Sequence, residues 1–250
     1  MKIRVLDNYE QMSREAAELV INEVRIKNNA IICFPTGSSP LRMYEILCEE
    51  CQKGNVDFSK VRVRSVDDYV GLAPDNNQSY YYYLQSLFFS KCNFQPANIC
   101  LIDSCASNME EECRRYNDLL KKEGGIDLIL DGIGENGHIG FNEPAEFLHD
   151  DIHVEDVSEW TAKVNARFFS SVNEVPKQAV TVGILDMLEA KKLIVLSSGI
   201  KKAPVWKKIF ADRTISTQFP ASFLKLANNA YVLMDQASAS LLDKHLYTTF

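Results

Sequence analysis

The 250-residue chain has no apolar run long enough to cross a bilayer, and no secretory apolar core follows Lys2 and Arg4. A cytoplasmic protein is therefore the expectation, with no membrane as partner. Basic charge is also scarce: the formal net charge is −7, which argues against nucleic acid or an anionic surface as a partner. Low-complexity tracts, repeats and linker-like stretches are missing, so one domain over 1–250 is expected. The seven cysteines are odd in number and follow no framework spacing. Cys48 and Cys51 look like a metal or redox pair, but they lie in a helical run with no second pair to match. Reduced, structural cysteines are expected.

What is present is alternation. Met12, Ala16, Leu19, Val20 and Val24 have helical spacing, so a helix over 10–27 is expected to open the fold. Ala30–Phe34 reads as a buried strand, then Pro35-Thr36-Gly37-Ser38-Ser39-Pro40 leads into a helix over Leu41–Lys53. A strand, a Gly/Ser/Thr turn and a helix N-terminus can bind phosphate, through converging N–H groups and the helix dipole. No lysine follows the glycine, so this is not a Walker loop. An ordinary capped turn, with Ser39 as N-cap and Pro40 first in the helix, fits the same residues.

The strand Val61–Val66 ends in Asp67-Asp68-Tyr69-Val70-Gly71-Leu72. Adjacent carboxylates at a strand end suit a general base and a supporting partner pointing different ways; plain loop residues suit them too. Tyr80–Phe89 reads as an aromatic core helix, Asn98–Ile102 as a strand, and Asn108–Lys122 as an amphipathic helix. Ile126–Leu130 reads as a buried parallel strand. It runs into Asp131–Pro144, where four glycines in ten residues leave room for a ligand near the main chain. His138 and Glu143 sit inside that turn.

A polar segment with His149, His153 and Trp160 leads to Thr161–Phe169, expected to cap the site as part of a lid over about 150–178. Gln178–Gly183, Lys192–Ser197 and Ala230–Met234 read as further strands. Lys201 and Lys202 begin a helix, where cations oppose the dipole; an anion to hold would explain them. The alternation argues for an α/β fold with a mostly parallel sheet and helices on both faces.

The order Thr36–Pro40, Asp67–Leu72, Gly132–Pro144, Asn165–Phe169, Pro220-Ala221-Ser222 resembles the glucosamine-6-phosphate deaminase (isomerase) family over roughly residues 1 to 240. Gly137-His138-Ile139-Gly140-Phe141-Asn142-Glu143-Pro144 is its most specific part. The related 6-phosphogluconolactonases share the turn and histidine but lack the Asn-Glu-Pro continuation. The resemblance implies a Rossmann-like fold and conversion of glucosamine 6-phosphate to fructose 6-phosphate and ammonia, without metal or redox cofactor. It implies Asp67 as the base moving the C2 proton to C1, supported by Asp68, and His138 as the ring-opening group oriented by Glu143. Thr36, Gly37, Ser38, Ser39, Arg167 and Lys202 are the implied phosphate grip.

Three departures carry expectations. Asn136 stands where many members have Asp, and an amide cannot polarise an imidazole as a carboxylate does. After the Asn-Glu-Pro motif, Ala145–Asp151, His153 and Glu155 replace the residues that hold an effector phosphate in larger members. Acidic side chains there repel an anion, so no activation by N-acetylglucosamine 6-phosphate is expected, and a monomer or small homo-oligomer suffices. Asp131 stands where small residues are usual, and the sequence offers no reason. Rival readings are the same chemistry on galactosamine 6-phosphate, lactone hydrolysis, and a non-catalytic sugar-phosphate sensor.

Overall fold

The stretch Leu193–Ser197 is buried at every position, with Leu193 and Val195 packed in one core and Ile194 and Leu196 in another. Ile129 and the pair Leu128 and Leu130 divide in the same way. Strands apolar on both faces need covering on both faces, the situation of a central parallel strand. The computed structural model describes residues 1–249 and gives that arrangement.

In chain order the elements are β1 (Lys2–Leu6), α1 (Tyr9–Ile26), β2 (Ile31–Cys33), α2 (Leu41–Gln52), β3 (Arg62–Arg64), β4 (Asp67–Tyr69) and α3 (Tyr80–Leu87). Then follow α4 (Met109–Lys122), β5 (Leu128–Asp131), β6 (His153–Asp156), α5 (Glu159–Asn165) and β7 (Gln178–Thr181). The last are α6 (Ile184–Glu189), β8 (Leu193–Ser197), α7 (Ala203–Ala211), β9 (Ala230–Asp235) and β10 (Thr248–Thr249). Seven strands form one sheet in the order β10-β1-β9-β8-β5-β2-β3, with every pairing parallel. Residues of α1, α2 and α3 build the core on one face, and residues of α4, α6 and α7 the core on the other.

Local chemistry fixes the helices. The Asn8 side chain accepts from the Gln11 N–H to cap α1, which buries Met12, Ala16, Ala17, Val20, Ile21 and Val24. Asn108 caps α4 on the Glu111 N–H, and three glutamates in its first turn match the helix dipole.

Four expectations are corrected. The chain opens with strand β1, whose pairing with β9 and β10 needs partners over two hundred residues away, invisible to a local pattern. Asn98–Ile102 is not a strand: Pro96–Asn98 forms a 3₁₀ turn, and Ile99 keeps a single bridge to Val63. The strand over Gln178–Gly183 belongs to a second sheet, β4-β7-β6, which is antiparallel. Ser39 is not a cap; Pro40 is the residue before α2, with no side-chain cap.

Two features of this topology make a crevice. From β2 the chain moves outward to β3 and then returns to the other side of β2 with β5, so the strand order reverses there. Loops leaving the carboxyl ends of β2 and β5 therefore diverge and leave a gap, the usual ligand position in open α/β sheets. The chain also leaves the large sheet after Arg64 and enters the small one at Asp67. That change of sheet puts Asp67 at the crevice.

Candidate active site

A cavity of about 450 Å³ lies at this reversal point, walled by the loops after β2, β5 and β8 and by α5. Thr36, Gly37, Ser38, Ser39, Asp67, His138, Arg167 and Lys202 all line it. Asp68, Asn136 and Glu143 stand behind that wall. Asp68 is buried and its carboxylate accepts from the Tyr69 and Tyr80 N–H groups, fixing the loop after β4. The two adjacent carboxylates thus point in different directions, as alternation along a strand requires.

The loop from Gly132 to Gly140 folds back on itself. The Gly134 N–H donates to the His138 carbonyl at 2.9 Å, and the Gly137 N–H to the Gly134 carbonyl at 3.0 Å. A Cβ on Gly134 would lie 2.4 Å from His138 Cε1, so only glycine lets the imidazole lie flat against the turn. Gly137 adopts φ +91 with the Phe219 ring where a Cβ would be. From the same segment, the Ala221 N–H donates to the Gly137 carbonyl at 2.7 Å. Pro220-Ala221-Ser222 therefore braces the loop from below without reaching the cavity.

His138 is oriented indirectly. Its Nδ1 is 3.7 Å from Glu143 Oε2, beyond hydrogen-bond length, and 3.5 Å from Thr161 Oγ1. Thr161 donates its hydroxyl proton to Glu143 Oε1, leaving its oxygen free to accept from Nδ1–H. Asn136 Nδ2 donates to Glu143 Oε2 at 2.9 Å, and Asn136 Oδ1 accepts from the His138 N–H at 3.2 Å. Asn136 thus holds the carboxylate and the turn, and does not touch the imidazole. Burial, opposed by Glu143 and aided by Lys202, holds the imidazole below its ordinary pKa, so it is neutral at pH 7. Trp160 meets its ring edge-to-face at 6.1 Å.

The acidic side of the cavity is unusual. Burial pushes Asp67 well above the usual carboxylate range, and the charges of Asp131 and Asp68 push it further. Burial likewise raises Asp131 to about 7, against the N–H groups of Gly132 and Gly140 that lower it. On the basic side, Lys202 Nζ donates to the Ile133 carbonyl at 2.6 Å. Its pKa is lowered by burial, with Glu135 opposing and Arg167 and Lys201 adding to the effect. Arg167 is exposed at the rim, its guanidinium 4.7 Å from the Phe168 ring centroid. The turn that carries Lys202 is pinned by Asp235, which accepts from Ser198 Oγ and the N–H groups of Gly199 and Ser238.

Sequence reasoning missed several of these residues. Thr161 links His138 to Glu143, and nothing local marks a threonine in a polar segment for that task. Tyr80 was expected in the core but lines the cavity, because it begins α3 beside the change of sheet. Of the rest of that run, Leu84 and, just past the helix, Phe88 and Phe89 are core as expected, whereas Tyr82 is exposed. Among the described residues no group of three or more His, Cys, Asp or Glu side chains is arranged to hold a metal ion.

A family model for glucosamine-6-phosphate isomerases/6-phosphogluconolactonase matches residues 7–233. A glucosamine-6-phosphate deaminase of a Thermoanaerobacter species is 41% identical over 242 residues, covering 97% of this chain and 95% of its own. One from Halothermothrix orenii is 40% identical, covering 97% of this chain and all of its own. A solved monomeric glucosamine-6-phosphate deaminase superposes with TM-score 0.93 at 37% identity, over 96% of this chain and 100% of that one. The 6-phosphogluconolactonase of Trypanosoma brucei, at 18% identity and TM-score 0.75, shares the fold.

Proposed function

The chain belongs to the glucosamine-6-phosphate isomerase/6-phosphogluconolactonase family, and from that premise we propose that it deaminates and isomerises glucosamine 6-phosphate to fructose 6-phosphate and ammonia. The observation that carries this reading is a single crevice lined by the Asp67 carboxyl, a neutral imidazole, the hydroxyl-bearing turn after β2 and the cations Arg167 and Lys202.

In this reading the phosphate lies between Thr36–Ser39, Arg167 and Lys202. Loop N–H groups and hydroxyls donate to its oxygens, and two cations supply charge-assisted contacts. The sugar ring then reaches the other end of the cavity. Neutral His138 carries a proton on one nitrogen and an open lone pair on the other, as needed to shuttle a proton between ring oxygens and open the hemiacetal. With Nδ1–H directed to Thr161, Nε2 is the acceptor, and Glu143 fixes that choice through the threonine.

Once the chain is open, Asp67 removes the C2 proton and returns it to C1. This converts the amino aldose into a ketose-level imine, and water then adds at C2 and expels ammonia. Removing a proton beside a carbonyl-type carbon suits a carboxylate whose burial makes it a stronger base than one in water. Trp160, Thr161 and Arg167 lie on the segment over about 150–178, which serves as the lid. A single chain supplies every group named, which fits a monomer.

An ammonia-release assay with glucosamine 6-phosphate and galactosamine 6-phosphate side by side tests the proposal. Faster turnover of the first is expected; turnover of neither, with no ketose formed, removes the assignment.

A further inference from the structure

One acidic side chain in the crevice has no part in the chemistry above. Asp131, the last residue of β5, is 8% exposed and lines the cavity. Its two oxygens are taken by backbone rather than by a cation: Oδ1 accepts from the Gly132 N–H at 2.7 Å and Oδ2 from the Gly140 N–H at 2.8 Å. These bonds reach both ends of the glycine loop, so the carboxylate is held rigidly in place.

The topology explains why it shares the crevice with Asp67. Strand β2 lies between β3 and β5, and Cys33 is in register with Arg64 on one side and Ile129 on the other. Beyond that level the β2 chain turns away through Pro35, β5 ends in Asp131, and the chain after β3 crosses to the small sheet at Asp67, so both carboxylates line the gap left by β2. Among charges acting on Asp67, that of Asp131 is the largest, ahead of its chain neighbour Asp68.

We propose that Asp131 is a positioning residue that makes Asp67 a stronger base, by fixing a second carboxylate in the same crevice. This rests on the deaminase reading of the site.

The other groups around Asp67 do not supply that effect equally. From β2 comes Cys33, from β4 Tyr69, and from α3 Tyr80; burial raises all three, so they are neutral near pH 7. Asp68 has its oxygens turned to backbone N–H groups, and burial brings it to about 6. Across the cavity His138 is neutral, and Lys202 is engaged with the Ile133 carbonyl. Two carboxylates set together lose their protons in two coupled steps, and the second loss leaves the more basic group.

The test compares pH profiles of kcat/KM for ammonia release in the wild type and Asp131→Asn. With the neighbouring charge gone, Asp67 is expected to ionise at lower pH. The acid limb should move down by about one pH unit, and kcat on the plateau should fall several-fold as the base weakens. A merely structural role would lower kcat and leave the limb where it is, and that result overturns the proposal. If the amide variant does not fold, Asp131→Ser removes the charge with a smaller group. A carboxyl ¹³C NMR titration of Asp67 in the unliganded protein reads the same shift without turnover, and an unmoved midpoint also overturns it. A wild type that releases no ammonia would sink the functional reading while leaving this titration decisive for Asp131.

Discussion

The imidazole of His138 lies so close to Gly134 that a methyl group there would come within 2.4 Å of Cε1. Nothing about the backbone at Gly134 forbids alanine, because its φ is not positive. The expected outcome of Gly134→Ala is therefore a folded protein with a displaced ring. Catalysis that depends on placement loses on the order of a hundredfold for a shift near 1 Å, so kcat should fall at least tenfold with little change in KM. Steady-state kinetics with a thermal melt check this; an unchanged kcat would show that the ring position is not critical.

Thr161→Val keeps the shape of the side chain and removes the hydroxyl that joins His138 to Glu143. A kcat reduced about 10- to 100-fold is expected, with Thr161→Ser restoring most of it. Recovery by serine separates a lost hydrogen bond from a packing defect. Valine kinetics equal to wild type would mean that Glu143 acts without the threonine.

Much of this site could be read from the chain, for a physical reason that differs by residue. The turn after β2 and the glycine loop after β5 announce themselves, because a ligand against backbone requires glycine and small hydroxyls in short order. Asp67 was visible as a carboxylate at a strand end. Its place could not be read, since the change from the parallel to the antiparallel sheet is settled by pairing with β7, over a hundred residues away. Thr161 and Asp131 were unreadable as partners for similar reasons. Thr161 contacts Glu143 and His138, Asp131 shares its crevice with Asp67, and a local pattern carries no record of what lies across a cavity. Asn98–Ile102 misled because its apolar residues pack in the core without joining a ladder.

Arg167→Ala and Lys202→Met each remove one cation from the cavity wall proposed to hold the phosphate. A charge-assisted contact is worth about 1.5–3 kcal/mol, so each variant should raise KM by roughly 10- to 100-fold. Arg167 is exposed, and its share should shrink as salt is added; that of the half-buried Lys202 should shrink less. Initial rates at low and high ionic strength decide it. A KM unaffected by both changes would place the phosphate elsewhere.

Asp127 holds the opposite end of the sheet. Its buried carboxylate accepts from Lys27 and Lys191 Nζ at 2.6 and 2.7 Å and from the Ile31 N–H at 2.8 Å. Burial alone would raise its pKa, but Lys191, Lys27 and the N–H together bring it below the ordinary value. A depressed carboxylate contributes stability that is present above its unfolded pKa and is lost as pH falls through the folded one. Wild type should thus lose stability on acidification below about pH 4, and Asp127→Ala should lose less there. Near pH 7 the variant should be about 2 kcal/mol less stable, the cost of an unpaired buried N–H and lost charged contacts. Urea unfolding at the two pH values measures both; equal stability of the two proteins at pH 7 would refute it.

Asp67→Asn asks most directly whether Asp67 performs the proposed proton transfer. Ammonia release and substrate binding are measured on the same preparation, the second by calorimetry. The variant is expected still to bind glucosamine 6-phosphate but to turn over at least about a hundredfold more slowly, the scale of a lost general base. Turnover equal to that of the wild type would contradict it.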